Sequence, residues 1–308
     1  VDAHKLKRLH GGDIVRVGQS VAHEHRAVIF LIIVGAGVWI AHRISVEIHY
    51  KWNWGVMPQY LFRFDTTTDK WVPGLIIQGV FITLRLSIYS TIVAMIFGTI
   101  MGLFRTSRSP FKRLIGWSYV ELVRNIPILV WIFIFYYFIS DQFFPIIGLD
   151  HLKKSTPGRF QDMVSFMFIS PIHFPAFLSG MLALGIYEGA YITEIIRAGI
   201  QSIENGQWEA SAAVGFSRYQ QIRHIIFPQA AQRILPPLAG QFISTIKDSS
   251  IVSVISIQEL TFQGMELMSA TFLTFEVWIT VMVLYFLICL ACSLMVEQLE
   301  VHMKKSMA

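Results

Sequence analysis

A run of about twenty mostly apolar residues can cross the hydrocarbon core of a bilayer, and this chain carries six such runs in series. They lie at about residues 27–43, 74–104, 115–139, 176–200, 235–257 and 273–297. Backbone N–H and C=O groups in lipid must be satisfied within the protein, which leaves helices or closed barrels. Runs of this length select helices, so the expected fold is an all-α integral membrane protein with about six transmembrane helices. Composition agrees: only 15% of residues are charged, against about 25% in soluble domains. The first run comes after a basic polar tail and is followed by no small-residue cleavage site, so it reads as a retained span rather than a signal peptide. The stretch 140–175 is too broken by Pro and polar residues to span, and reads as an ordered outer loop.

Lys and Arg beside the spans set the orientation. One set comprises Lys5, Lys7, Arg8, Arg16, Arg26, then Arg105, Arg108, Lys112, Arg113, then Arg197, Arg218, Arg223, Arg233, and finally Lys304 and Lys305. It outnumbers the alternate set of Arg43, Lys51, Arg63, Lys70, Lys153, Lys154 and Arg159, so both termini are expected in the cytoplasm. The net charge of +5 follows from this clustering beside spans and does not call for nucleic acid. Trp39, Trp52, Trp54 and Trp71 bracket the first outer loop as an interfacial belt. Gly98–Gly102 and Gly185–Gly189 have GxxxG spacing, which permits close helix approach.

Ionisable residues inside spans are costly and default to functional candidates. Arg85, Glu188, Lys247 and Asp248 fall near mid-depth, where two positive and two negative charges could cradle a zwitterion. Arg85 or Lys247 would take a carboxylate and Glu188 an ammonium, with Tyr191, Thr83 and Ser87 supplying neutral hydrogen bonds. Glu121 with Arg124, and Glu194 with Arg197, are spaced i, i+3 and read as structural ion pairs. Cys289 and Cys292 lie mid-span with no second pair and read as small apolar packing. His23-Glu24-His25 lacks helical ligand spacing, and no metal site is expected.

Between runs four and five stands NGQWEASAAVGFSRYQQIRHIIFPQ, residues 205–229. Asn205 suits an N-cap, Glu209 suits the positive end of a helix dipole, and Gly215 stands where a helix would end in a left-handed residue. Ser217-Arg-Tyr-Gln220 spells a capping box for a second helix, expected to stop at Pro228. Its small-residue face suits seating in another protein's groove better than anchoring in lipid.

The spacing Glu209-Ala210, Gly215, Ile225, Phe227-Pro228 resembles the EAA signature of permease subunits of ATP-binding-cassette importers. Ser211 and Phe227 depart from the signature's third Ala and its Leu. ELVRNIP (121–127), YITEIIRAGIQSI (191–203), FPQA (227–230) and IKDSSIVSVI (246–255) extend the likeness to the polar amino acid branch, over roughly 73–300. The resemblance implies a five-helix type I permease core at 73–300 with a coupling loop at 201–230. An extra helix and outer loop (27–72) would precede it, flanked by tails at 1–26 and 301–308. It implies that Trp208, Glu209, Ala210, Ala213, Gly215 and Phe216 meet the ATPase. The implied partners are two ATP-binding subunits, a second permease that is identical or paralogous with a heteromer favoured, and an external amino-acid-binding protein. The chain would then sit in a bacterial cytoplasmic membrane and be no enzyme. It has no GxxxxGK[ST] phosphate loop, so ATP and Mg would bind on the partner ATPase and no cofactor on this chain. An ion-coupled secondary carrier is the main rival reading; a channel, which would favour rings of one charge sign, and a membrane enzyme fit less well.

Overall fold

The computed structural model describes residues 50–67, 69–143 and 171–305, together with Ile146 and scattered positions between 28 and 46. The chain divides into two units, Val1–Trp54 and Gly55–Ala308. In the first, every described position from 28 to 46 is helical, and the Trp52 indole donates to the Ser45 hydroxyl at 2.7 Å. The expected tail at 1–26, most of the loop at 140–175 and residues 306–308 lie outside the described residues.

The second unit opens with a short helix α1 (Met57–Leu61) and an antiparallel hairpin of β1 (Phe62–Asp65) and β2 (Lys70–Pro73). The described residues are otherwise mostly helical, as expected, and this strand pair is the exception. Phe64 faces Trp71 across the ladder with ring centroids 5.7 Å apart, a cross-strand aromatic pair of the kind that stabilises hairpins. The hairpin clusters with the second unit, Gly55–Ala308. Gly74 donates to the Leu61 carbonyl at 2.8 Å, and a Cβ there would strike the Tyr60 carbonyl.

Helix α2 (Leu75–Arg105) follows, then α3 (Pro110–Arg124) and α4 (Ile128–Ile134), which continues as a π-helical stretch Phe135–Phe143. After the undescribed segment come α5 (Phe174–Gln201), α6 (Asn205–Ala213) and the single turn α7 (Arg218–Gln220). A π-helical stretch Gln221–Ile226 leads into α8 (Phe227–Asp248), a 3₁₀ stretch Ser249–Ile255, α9 (Leu260–Thr271) and α10 (Thr274–Lys305).

Three helices among the described residues are long and apolar enough to cross a membrane: Leu75–Arg105, Phe174–Gln201 and Thr274–Gln298. A fourth crossing is possible through the third run, which is not one straight span: Pro110–Arg124 and Ile128–Phe138 meet at 100°. Pro127 forces the preceding backbone out of the helical region, and the Trp131 indole stitches the bend by donating to the Val123 carbonyl at 3.2 Å. The fifth run starts earlier than its apolar residues suggest. Pro228 does not stop a helix; it sits in the first turn of α8, where its missing N–H costs nothing. Helix α9 occupies the short interval between runs five and six, where no element was expected.

The α2–α5 crossing is the most extensive contact in the unit, and both GxxxG pairs lie in it. A Cβ on Gly98 would come within 2.5 Å of Ile192, and one on Gly102 within 2.8 Å of Ile196. From the α5 side, Gly185 receives Val93, and a Cβ on Gly189 would come within 2.7 Å of the Tyr119 hydroxyl. Each helix therefore offers a glycine notch to a branched side chain of the other. Around this crossing Ala94, Ile192, Ile196, Ile200, Ile226 and Ile234 form a buried cluster beside α6 and the stretch leading into α8. At the opposite end, Leu86, Ile132, Phe177 and Ile257 form a second, and Met57, Ile76, Leu260 and Val277 bring α1, α2, α9 and α10 together.

Gly98→Leu should overpack the crossing and destabilise the fold by about 1–3 kcal/mol. Gly240→Ala, which meets open space, should be neutral or slightly stabilising. Thermal unfolding in detergent separates the two; equal stability of Gly98→Leu and the parent would refute the notch.

Candidate functional site

The segment between α5 and α8 is a folded hairpin held at every corner. Helix α6 begins one residue earlier than an Asn205 cap requires: Glu204 occupies the N-cap, and no side chain caps it. At its other end Gly215 has φ +88°, and the Phe216 N–H donates to the Ser211 carbonyl at 3.1 Å. The Gly215 N–H donates to the Ala212 carbonyl at 2.9 Å. These two bonds make a Schellman motif, whose left-handed position favours Gly. Ser217 then forms a reciprocal capping box with Gln220, the Ser217 N–H donating to the Gln220 side-chain Oε1 at 2.8 Å.

Trp208 lies half-buried against the isoleucine cluster, with the Arg218 guanidinium 3.6 Å over its ring. Partial burial and the nearby Arg108 guanidinium lower the Arg218 pKa from its ordinary value. Gln229 donates to Gln207 at 3.3 Å, and Arg233 donates to the Ser202 carbonyl. Gln207 and Trp208 of α6 therefore meet α8 and the isoleucine cluster, while Glu209, Ala210, Ala213 and Val214 are left exposed, Val214 by 76%. Phe216 is half-buried behind them.

The ionisable residues of the bundle are arranged differently from the expected zwitterion cradle. Glu188 of α5 is fully buried and accepts from the Gln241 side chain of α8. Asp248 approaches the same carboxylate, two turns along α8 from Gln241, while Glu188 Oε1 has no hydrogen-bond donor among the described residues. Lys247 does not converge with them: it is exposed and lines a cavity of about 320 Å³ with Trp278 and Tyr285. Consecutive helical residues diverge by about 100°, so only one of Lys247 and Asp248 can face Glu188. Arg85 is half-buried on α2. Thr83 and Ser87 are buried and turned to structural tasks: the Ser87 hydroxyl donates to the Thr83 carbonyl at 2.7 Å, and Thr83 donates to Glu259.

The Tyr191 hydroxyl lies 3.1 Å from that of Tyr187, and Arg124 lies 4.9 Å over the Tyr191 ring. Tyr191 and Arg124, with Glu121 and Asn125, line a polar cavity of about 320 Å³ beside the α3–α4 bend. Glu121 and Arg124 form no ion pair among the described residues. The Asn125 side-chain amide at the helix end donates to the Glu121 carboxylate at 3.1 Å, and the Arg turns to the aromatic ring. Glu194 and Arg197 do pair, at 2.7 Å, and Arg105 of α2 joins Glu194 at 3.1 Å. Cys289 and Cys292 are unbonded on α10.

Four participants were not singled out from sequence. Gln241 could have been found as the residue two turns before Asp248 on the same face. Tyr187 could have been found by its i, i+4 spacing from Tyr191. Arg105 was read only as a topological charge. Glu259 is fully buried, caps α9 by accepting from the Thr261 and Phe262 N–H groups, and takes the Tyr285 hydroxyl at 2.8 Å; Glu is an unusual cap, so its type gave no signal.

A family model described as "Binding-protein-dependent transport system inner membrane component" matches residues 94–305. The chain belongs to that family. It is 33% identical over 230 residues to the "Glutamine transport system permease protein GlnP" of Escherichia coli K12, covering 75% of this chain and 93% of the relative. It is 31% identical over 237 residues to the "Glutamate/aspartate import permease protein GltJ" of the same strain, covering 77% and 89%. A solved structure titled "Crystal structure of an amino acid ABC transporter with histidines" superposes with TM-score 0.62 at 30% identity, covering 82% of this chain and all of that one. The chain is thus a multi-pass membrane permease component of the ATP-binding-cassette class and not an enzyme.

Glu259→Ala should remove a buried cap and orphan the Tyr285 hydroxyl, lowering stability by about 1–3 kcal/mol. Glu259→Gln, which keeps one acceptor, should cost less. Detergent unfolding midpoints give the order; reversal would show that the cap is not a stabilising contact.

Proposed function

We propose that this chain is one permease half of an ATP-driven amino acid importer in a bacterial inner membrane, driven through the α6–α7 hairpin. The observation that carries this reading is the hairpin's construction. Its inward residues are locked to α5 and α8, and its outward residues are small, exposed and offered to a partner. A rigid small-residue face of this kind suits seating in a groove of another protein. The coupling residues are Trp208, Glu209, Ala210, Ala213, Gly215 and Phe216, with Trp208 as anchor and Gly215 as the fixed bend. Two ATP-binding subunits would carry ATP and Mg, and this chain would bind neither. A second permease subunit, of which a paralogue is the favoured form, would complete the pathway, and an external binding protein would deliver the substrate. The family assignment gives no support to an ion-coupled carrier.

The substrate reading moves with the geometry. Glu188, backed by Asp248 and held by Gln241, together with Tyr191 and Arg124 at the neighbouring cavity, forms the polar ground available to an amino acid crossing between helices. The relatives' printed names cover glutamine and glutamate/aspartate, so the substrate within the amino acids is not fixed by likeness. Lys247, Thr83 and Ser87 are dropped as direct contacts, because one is exposed away from Glu188 and the others are engaged inside the core.

Gly215→Val would place a β-branched residue at positive φ, a strain of about 1–3 kcal/mol. It should leave the subunits assembled and ATP hydrolysis measurable while uptake falls. Reconstituted complex assayed for both quantities tests this, and uptake at the parental ratio to hydrolysis would sink the coupling role. Glu188→Gln should change uptake and substrate competition without changing basal ATP hydrolysis; identical competition profiles would remove Glu188 from the pathway.

A further inference from the structure

Where α2, α5 and α8 reach the hairpin, an open cleft of about 340 Å³ runs between them. Its walls include Met95, Leu103, Ile196 and Leu238, and its hairpin end is closed by Tyr219 and Arg223. None of its lining residues is acidic, and Arg223 is the single charged group among them. Tyr219 is 70% exposed and Arg223 is exposed too. On the same short stretch Arg218 adds a second positive charge, its pKa lowered first by burial and then by the nearby Arg108 guanidinium. An apolar trough thus ends in a tyrosine and an arginine, with two further like charges near by and no carboxylate in the lining.

We propose that this cleft binds an anionic phospholipid of the cytoplasmic leaflet, one acyl chain lying in the trough and the headgroup phosphate on Arg223. Three features match that ligand. The trough opens along helices whose outward residues are apolar, including Ile92, Ile96 and Leu235, so a chain can enter from the bilayer. Tyrosine and arginine at its end are the residue types that sit at headgroup level. The arginines there belong to the set that orients the chain by facing the cytoplasm, where basic pockets between transmembrane helices take anionic headgroups. Two walls of the trough, α5 and α8, also carry the hairpin, so a lipid seated there touches both arms of the coupling unit.

The test uses the complex co-purified with its ATPase subunit in mild detergent and reconstituted into vesicles of phosphatidylcholine, alone or mixed three to one with phosphatidylglycerol. Native mass spectrometry after extraction should show phosphatidylglycerol retained by the parent. Arg223→Gln should weaken that retention about fivefold. Ala231→Trp, which fills the trough from α8, should abolish it while the ATPase subunit still co-purifies, a check on folding that does not depend on transport. A photo-cross-linker at Ala231 should label lipid. Equal retention of the two lipids, retention unchanged in both variants, or cross-linking of Ala231 to a second permease subunit would overturn the proposal, the last by showing that a protein covers the cleft.

Discussion

Four glycines in two notches hold this bundle in register. Without side chains at Gly98, Gly102, Gly185 and Gly189, the backbones of α2 and α5 come close enough for Ile192, Ile196 and Val93 to fill the opposite notch. In lipid no hydrophobic driving force separates helices from solvent, so packing of this kind and interhelical polar contacts carry association. The crossing also fixes what else α5 can do. Its buried face against α2 is apolar and branched, which leaves Glu188 to be satisfied from α8 and Tyr191 to meet α3. The Arg105–Glu194–Arg197 group closes the same crossing near the C-terminal ends of both helices.

Much of this was legible because its cause is local. The glycine spacing, the left-handed Gly215 and the Ser217–Gln220 capping box are rules of a few residues, and the structure realises each of them. What could not be read depends on rotation or on distant partners. Sequence places Lys247 and Asp248 side by side near one depth, but only helix phase decides that the Asp meets Glu188 and the Lys faces outward. Thr83 flanks Arg85 in sequence, yet its hydroxyl partner lies 176 positions away at Glu259. Pro228 reads as a stop by itself; it becomes a first-turn residue only because a π-helical stretch precedes it. The bend at residues 125–127 was hidden by apolar residues on both sides, since hydropathy does not register direction.

The two arms that leave the hairpin differ in stiffness. Helix α5 runs unbroken from Phe174 to Gln201, and Gly199 lets it press directly on Ile234 of α8. Helix α8 contains Pro236 and Pro237, which remove two N–H donors and free carbonyls one turn earlier, the usual cause of a kink or a yielding point. Below these prolines, α8 is clamped to the hairpin through Gln229 and Arg233; above them, Gln241 and Asp248 meet Glu188. A displacement of the hairpin would therefore pass along α5 as a rod and along α8 through a hinge. The two would arrive out of step at the Glu188–Gln241 contact, so that contact is the one most exposed to relative motion. A buried carboxylate held by a neutral amide from a hinged helix is released more readily than an ion pair at that position would be, although leaving the carboxylate unsatisfied still costs about 1–3 kcal/mol. The same reasoning explains why the strong pairing in this bundle, Arg105 and Arg197 on Glu194, sits on the α2–α5 side where no hinge intervenes.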